Sequence, residues 1–158
     1  MIKKRSGAFT LIELLVVMAI MALMMTIGVA GYFGIRRGAD MRAAVSSIRT
    51  SLMLGRQQAV TKRQKVRVEF VASGGTNLVR VLVEKPGAGY QLVHQETALP
   101  GGIEYVGFPS PVTFAPVGTA SSATPVDIII QEKVAQANGT KNFSSFRVWP
   151  LTGITKVQ

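Results

Sequence analysis

Residues 3–34 read "KKRSGAFTLIELLVVMAIMALMMTIGVAGYFG", and the fold of the chain turns on how this stretch is understood. Between Arg5 and Arg36 it has a single charged side chain, Glu13. The run from Phe9 to Ile35 is 27 residues long. As a helix it spans about 40 Å, whereas the hydrocarbon core of a bilayer needs only about 20 residues. The stretch is therefore predicted to be a membrane-spanning helix. Lys3, Lys4 and Arg5 flank its N-terminal end, which places that end in the cytoplasm and the remainder of the chain outside. Gly28, Gly31, Gly34 and Gly38 weaken the distal end, at about 1 kcal/mol each relative to Ala, and let another helix approach closely. A carboxylate inside such a segment costs roughly 2.5–3.5 kcal/mol on insertion scales, so Glu13 calls for a partner. The alternative is a cleaved secretory signal peptide, with a basic leader, an apolar stretch and small residues at Gly28 and Ala30. Against it, the run is longer than the apolar part of such a signal, keeps Glu13 and continues into a second amphipathic segment.

Working outward, the chain of 158 residues fits one domain plus an appendage. About 120 residues remain beyond the apolar run, enough to bury a core without staples. The absence of cysteine excludes a disulfide framework, a thiolate nucleophile and a cysteine metal site. Eighteen basic against eight acidic side chains, a formal +10, favour anionic surfaces: lipid headgroups, nucleic acid or an acidic partner.

From Asp40 to about Val60 the pattern is helical. Met41, Val45, Ile48, Leu52 and Ala59, with Gly55 in the gap, form an apolar stripe suited to covering a sheet. Arg42, Arg49, Arg56 and Arg63 recur every seven residues beside it, drifting only ~20° per heptad. This basic ridge is either a surface for an acidic partner, phospholipid or nucleic acid, or an ordinary solvated flank. Residues 9 to about 62 would make one helix on the order of 80 Å long. After "TKRQ" the period changes to two, with Val66, Val68 and Phe70 alternating with charged residues, then Val79, Val81 and Val83. "SGGTN" between them is a hairpin turn. Further strands are expected over residues 90–96, 103–106, 112–114, 126–131, 146–149 and 154–157. "FPSPVTFAPVGTASSATP" and "VAQANGTKNFSS" read as loops, and "LTG" as a tight turn. Lys62, Arg63, Lys65 and Arg67 are the densest basic cluster, with the first two ending the helix and the last two on a strand.

No catalytic constellation emerges. His94 is the one histidine, within an expected strand; Asp127 and Glu132 are isolated; "NGT" at Asn138 serves a loop. No nucleophile elbow, phosphate-binding loop or metal-ligand cluster is present. The chain is expected to be no enzyme, with no metal and no cofactor.

"GAFTLIELLVV" resembles the class III signal of type IV pilins and type II secretion pseudopilins. The resemblance implies cleavage by a prepilin peptidase and N-methylation of the new terminus. It places the cut between Ala8 and Phe9, with Phe9 methylated, although Ala8 stands where the family usually has Gly; cleavage between Gly7 and Ala8 is the alternative. It also implies that Glu13 pairs with a neighbouring subunit's N-terminal amine during assembly. "LMLGRQQAVTKRQKVRVEF", "VTFAPVGTA" and "SFRVWPLTGITKV" extend the likeness to H-type minor pseudopilins and FimT-like minor pilins. The implied fold class is α+β, a long N-terminal helix packed on a β-rich globular domain. Its parts are a leader over 1–8, a transmembrane and filament-core helix over 9–35, an amphipathic half over 36–63 and a β-domain over 64–158. The implied partners are the prepilin peptidase/methyltransferase, other pilin or pseudopilin subunits and the bacterial inner membrane. The helix is expected to cross once, with its C-terminal domain exported and later carried into a filament, a secretion pseudopilus or a pilus. Some FimT-like proteins bind DNA through a Gly-Arg-x-Arg motif. Here that stretch is Gly153, Ile154, Thr155 and Lys156; both arginines are missing, so at most weak DNA binding is expected. A DNA-capturing minor pilin and an anchored exported β-domain without a filament are the other readings.

Overall fold

The computed structural model describes residues 10–93, 96–122, 124–134, 139, 141–150, 152 and 155–157. A single α-helix, α1 (Leu11–Lys62), precedes nine strands. The chain divides into two compact units between Arg36 and Arg37. In the first, Leu11–Val29 has a mean hydropathy of 2.5 and is the one helix among the described residues long and apolar enough to cross a membrane. Its side chains are exposed on every side, and a helix apolar all round belongs in the interior of a protein or of a bilayer. The Thr26 hydroxyl donates to the Ala22 carbonyl at 2.8 Å, so it needs no water.

The second unit is built on the remainder of α1. Ala44, Ile48, Ser51, Leu52 and Ala59 are buried, at the three- and four-residue spacings of a helix face. The expected stripe is thus turned slightly: Met41 and Val45 are only partly covered, while the small Ala44 and Ser51 point inward. Gly55 supplies the reason. A Cβ built there would lie 2.7 Å from Cγ2 of Val68, so the backbone approaches the sheet more closely than any side chain permits. The helix ends where Arg63 enters the left-handed region at φ 51°, a common way of closing a helix C-terminus.

Strands β1 (Val66–Ser73) and β2 (Thr76–Lys85) form the expected hairpin. Gly74 and Gly75 both have positive φ, 57° and 78°, which a two-residue turn of this twist requires. The later strands are β3 (Gly89–Leu92), β4 (Thr97–Ala98), β5 (Ile103–Tyr105), β6 (Val112–Phe114), β7 (Val126–Glu132), β8 (Phe143–Val148) and β9 (Thr155–Val157). One sheet has the order β3-β2-β1-β6, with β4 also on β2; the other has the order β5-β7-β8-β9. All pairings are antiparallel. The inward residues of both sheets and of α1 share one core, including Val66, Val68, Phe114, Ile128, Ile130 and Phe146. The fold class is α+β.

Three strand expectations change. The strand expected over residues 90–96 ends at Leu92 as β3, and a separate short strand, β4, follows it, both paired with β2. Leu92 faces Leu82 and Thr97 faces Val79, so the register on β2 shifts between the two strands and the ladder is interrupted; His94 lies outside the described residues. The strand expected from residue 146 begins at Phe143 instead, inside the stretch read as loop. Ser144 and Ser145 are held there by pairing with Ile130 and Ile129, a partner stronger than the weak strand preference of serine. The strand expected over 103–106 stops at Tyr105 because the chain turns at Gly107, whose φ is 73°. The "LTG" turn, apart from Thr152, also lies outside the described residues.

Candidate assembly site

Thr10 and Glu13 set the start of α1. The Glu13 amide meets the Thr10 hydroxyl at 3.4 Å, and the Thr10 amide meets Oε2 of Glu13 at 3.4 Å. This reciprocal pairing is a capping box, in which Thr-x-x-Glu satisfies amides that the first helical turn leaves open. Its sequence signal is Thr10 followed three residues later by Glu13. Glu13 therefore has a partner within its own chain, and as an acid in the first turn it also faces the positive end of the helix dipole. The bond Ala8–Phe9, the alternative Gly7–Ala8 and the methylated Phe9 lie outside the described residues.

The arginines of the ridge divide. Arg42 and Arg49 are exposed and make no hydrogen bond or ion pair among the described residues. Arg56 donates from Nε to the carbonyl of Gly118 at 3.1 Å, tying α1 to the loop between β6 and β7. Arg63 has left the helix. Its side chain joins Lys65 and Lys85 around an open depression of about 470 Å³, and Lys65 and Arg67 line the next. Of the basic cluster at the helix–strand junction, Arg63, Lys65 and Arg67 are thus linked through Lys65, which borders both depressions. Glu84 lies 3.7 Å from Lys65, Glu69 lies 3.5 Å from Arg67, and the Arg67 guanidinium sits 4.1 Å over the ring of Tyr90. These contacts are those of a solvated, mixed-charge sheet face.

Asp127 and Glu132, read as isolated, both have partners. Arg147 grips Asp127 with two hydrogen bonds of 2.8 Å, which hold the Asp127 carboxyl below the usual carboxylate range. Glu132 is buried and accepts from Asn142 at 3.2 Å. Lys141 and Gln131 likewise lower the Glu104 carboxyl, and burial pushes the Tyr105 phenol up. Arg147 faces Lys156 across β8 and β9; Gly153, Ile154, His94 and Asn138 lie outside the described residues. Among the described residues no three His, Cys, Asp or Glu side chains converge as a metal site would need.

Residues 3–29 match the prokaryotic N-terminal methylation motif. Residues 44–144, more than half of the chain, match the type II transport protein GspH. A search of curated proteins returned no match. Among solved structures, the minor pseudopilin EpsH from the Type 2 Secretion System of Vibrio cholerae has a similar fold. Its TM-score is 0.54 at 18% identity, over 75% of this chain and 96% of that one. With a methylation motif ahead of a sheet domain that matches through most of its length, the chain belongs to the GspH family of type II transport proteins.

Proposed function

We infer that this chain is a minor pseudopilin, a structural subunit of a type II secretion pseudopilus. The observation that carries the reading is the pairing of an all-round apolar N-terminal helix, bearing the methylation motif, with a GspH-family domain. In this reading the leader is removed between Ala8 and Phe9, with Gly7–Ala8 as the second choice, and Phe9 is methylated. The helix anchors the subunit in the inner membrane, with residues 37–158 outside, until it enters the filament. There Glu13 keeps its contact with the Thr10 amide and also meets the N-terminal amine of a neighbouring chain, a full charge that binds a carboxylate more strongly than a neutral amide does. Capture of DNA finds no comparable support, since Arg147, the arginine paired opposite Lys156, is committed to Asp127.

The test is co-expression with a prepilin peptidase, followed by intact-mass measurement of the membrane-extracted chain. The expected mass lacks residues 1–8 and carries one methyl group. Loss of about 30 residues would make the apolar run an ordinary signal peptide and end the pseudopilin reading.

A further inference from the structure

Residues 42, 46, 49, 53, 56 and 60 of α1 are Arg, Ser, Arg, Met, Arg and Val. Their spacing alternates between four and three, the repeat that lines up one seam of a helix for packing against another. All six are exposed, on the side turned away from the buried Ala44, Ile48 and Leu52. Met53 is 54% exposed and Val60 49%. Val60 borders Gly118, and next to it Val117 is 79% exposed. One position of the repeat is thus always arginine, and the other becomes apolar toward the C-terminal end.

An ordinary solvated helix flank mixes signs, because opposite charges four residues apart support one another. This one does not. From Met41 to Lys62 α1 has no Asp or Glu. Arg42 and Arg49 have no partner among the described residues, and Arg56 commits only Nε, to Gly118, of its five donors. Two copies of this chain would set these arginines against each other, and α1 offers no acid but Glu13 and Asp40 to meet them. For a contact of helix against helix, the complement has to come from a different chain.

We propose that residues 42–60 of α1 dock a helix of another subunit that carries carboxylates at seven-residue spacing beside apolar residues. The carboxylates meet Arg42, Arg49 and Arg56, and the apolar residues cover Met53, Val60 and Val117. The proposal rests on the pseudopilin reading only in taking the partner to be a fellow filament subunit. It makes the chain a subunit that joins others and does not stack on itself through this face.

The test uses the full chain in a nonionic detergent and a fluorescent synthetic helical peptide with Glu every seven residues beside Leu. A peptide with Lys in place of Glu is the control. Anisotropy should report micromolar binding of the Glu peptide, weakened at least tenfold by Arg49→Glu or by Met53→Asp, and no binding of the Lys peptide. The double variant Arg42→Glu/Arg49→Glu should reverse the preference. All these positions are exposed, and unchanged thermal melts confirm that the variants fold. Equal binding of both peptides, or no effect of Arg49→Glu, overturns the proposal. So does competition by phosphatidylglycerol vesicles or duplex DNA at the strength of the Glu peptide, since the seam would then be a general anion surface. None of these outcomes bears on N-terminal processing, so failure here leaves the pseudopilin reading standing.

Discussion

Gly55 lies in the middle of a helix turn, where Ala would ordinarily stabilise by about 1 kcal/mol. Here the sign should reverse. The added methyl would sit 2.7 Å from Cγ2 of Val68 and 3.5 Å from Cδ2 of Phe114. Both residues are fully buried, and Val68 is β-branched and stiff at χ1, so neither can swing away. Overpacking of this kind costs about 1–3 kcal/mol. The net effect of Gly55→Ala is then a loss of up to about 2 kcal/mol, or several degrees in Tm at about 2–4 °C per kcal/mol for a chain of this size. Gly38 is the control: its nearest neighbour is the mobile end of Arg42 at 3.8 Å, so Gly38→Ala should raise Tm. Thermal melts followed by the fluorescence of Trp149 read both. A double-mutant cycle sharpens the test, because Val68→Ala removes the very atom that is struck. The pair Gly55→Ala/Val68→Ala should therefore cost less than the sum of its members, by about 1 kcal/mol or more. If Gly55→Ala melts higher than the parent chain, or if the two changes simply add, the close approach of α1 to β1 is not what fixes glycine at this position.

The capping box separates two roles of Glu13. Glu13→Gln keeps a side chain that can close the box but removes the charge, whereas Glu13→Leu removes both. Both variants should insert in the membrane normally and both should be lost from the cross-linked filament fraction; a Gln variant recovered at the parental level would leave capping as the whole role. Acid stability follows from Asp127. Its carboxyl is lowered in the fold by Arg147, so its contribution is complete above the unfolded value of about 3.9 and is lost as pH falls through the lowered folded value. The pair is exposed and solvent-screened, so the contribution is small. Melts between pH 5 and 2 should show the parent chain falling toward Asp127→Asn and meeting it at the acid end; parallel curves would mean that the two hydrogen bonds contribute nothing in solution.

The apolar helix and the first hairpin were open to reading from sequence because each follows from a local rule: composition over one span, and two glycines between alternating valines. The inward face of α1 was legible to within a small rotation. Hydrophobicity pointed to Met41 and Val45, but close packing selected Ala44 and Ser51 beside the Gly55 already placed on that face, since only small residues let a helix backbone approach a sheet. What stayed hidden is non-local. Nothing near residues 90–96 announces that the register on β2 will shift between Leu92 and Thr97, and the serines of β8 owe their strand to isoleucines on β7. Arg56 looked like one more member of a ridge, yet its hydrogen-bond partner stands 62 residues away. The capping box is a different case. "TLIE" carries a local explanation of its carboxylate, the closing of the first helical turn, beside the larger role that the family likeness implies for it.

These two roles bear on how the anchor could be oriented among other helices. Leu11–Val29 is exposed and apolar on all sides, so burial alone prefers no rotation of this helix about its axis and no register along a neighbour. Interiors of bilayers and of helix bundles are equally apolar, and association there draws on packing and on polar contacts. Of the polar side chains in or beside this span, Thr26 is satisfied by the carbonyls of Ala22 and Leu23, and Thr10 is turned to the first helical turn. Glu13 is the one that still has something to give. Its contacts with Thr10 are long, at 3.4 Å, and an ionised carboxylate accepts at about four lone-pair sites. A cation approaching it would add a bond without breaking the cap. Capping the helix start thus leaves unused the charge on which the proposed pairing in a filament depends, and the two roles are compatible in one residue.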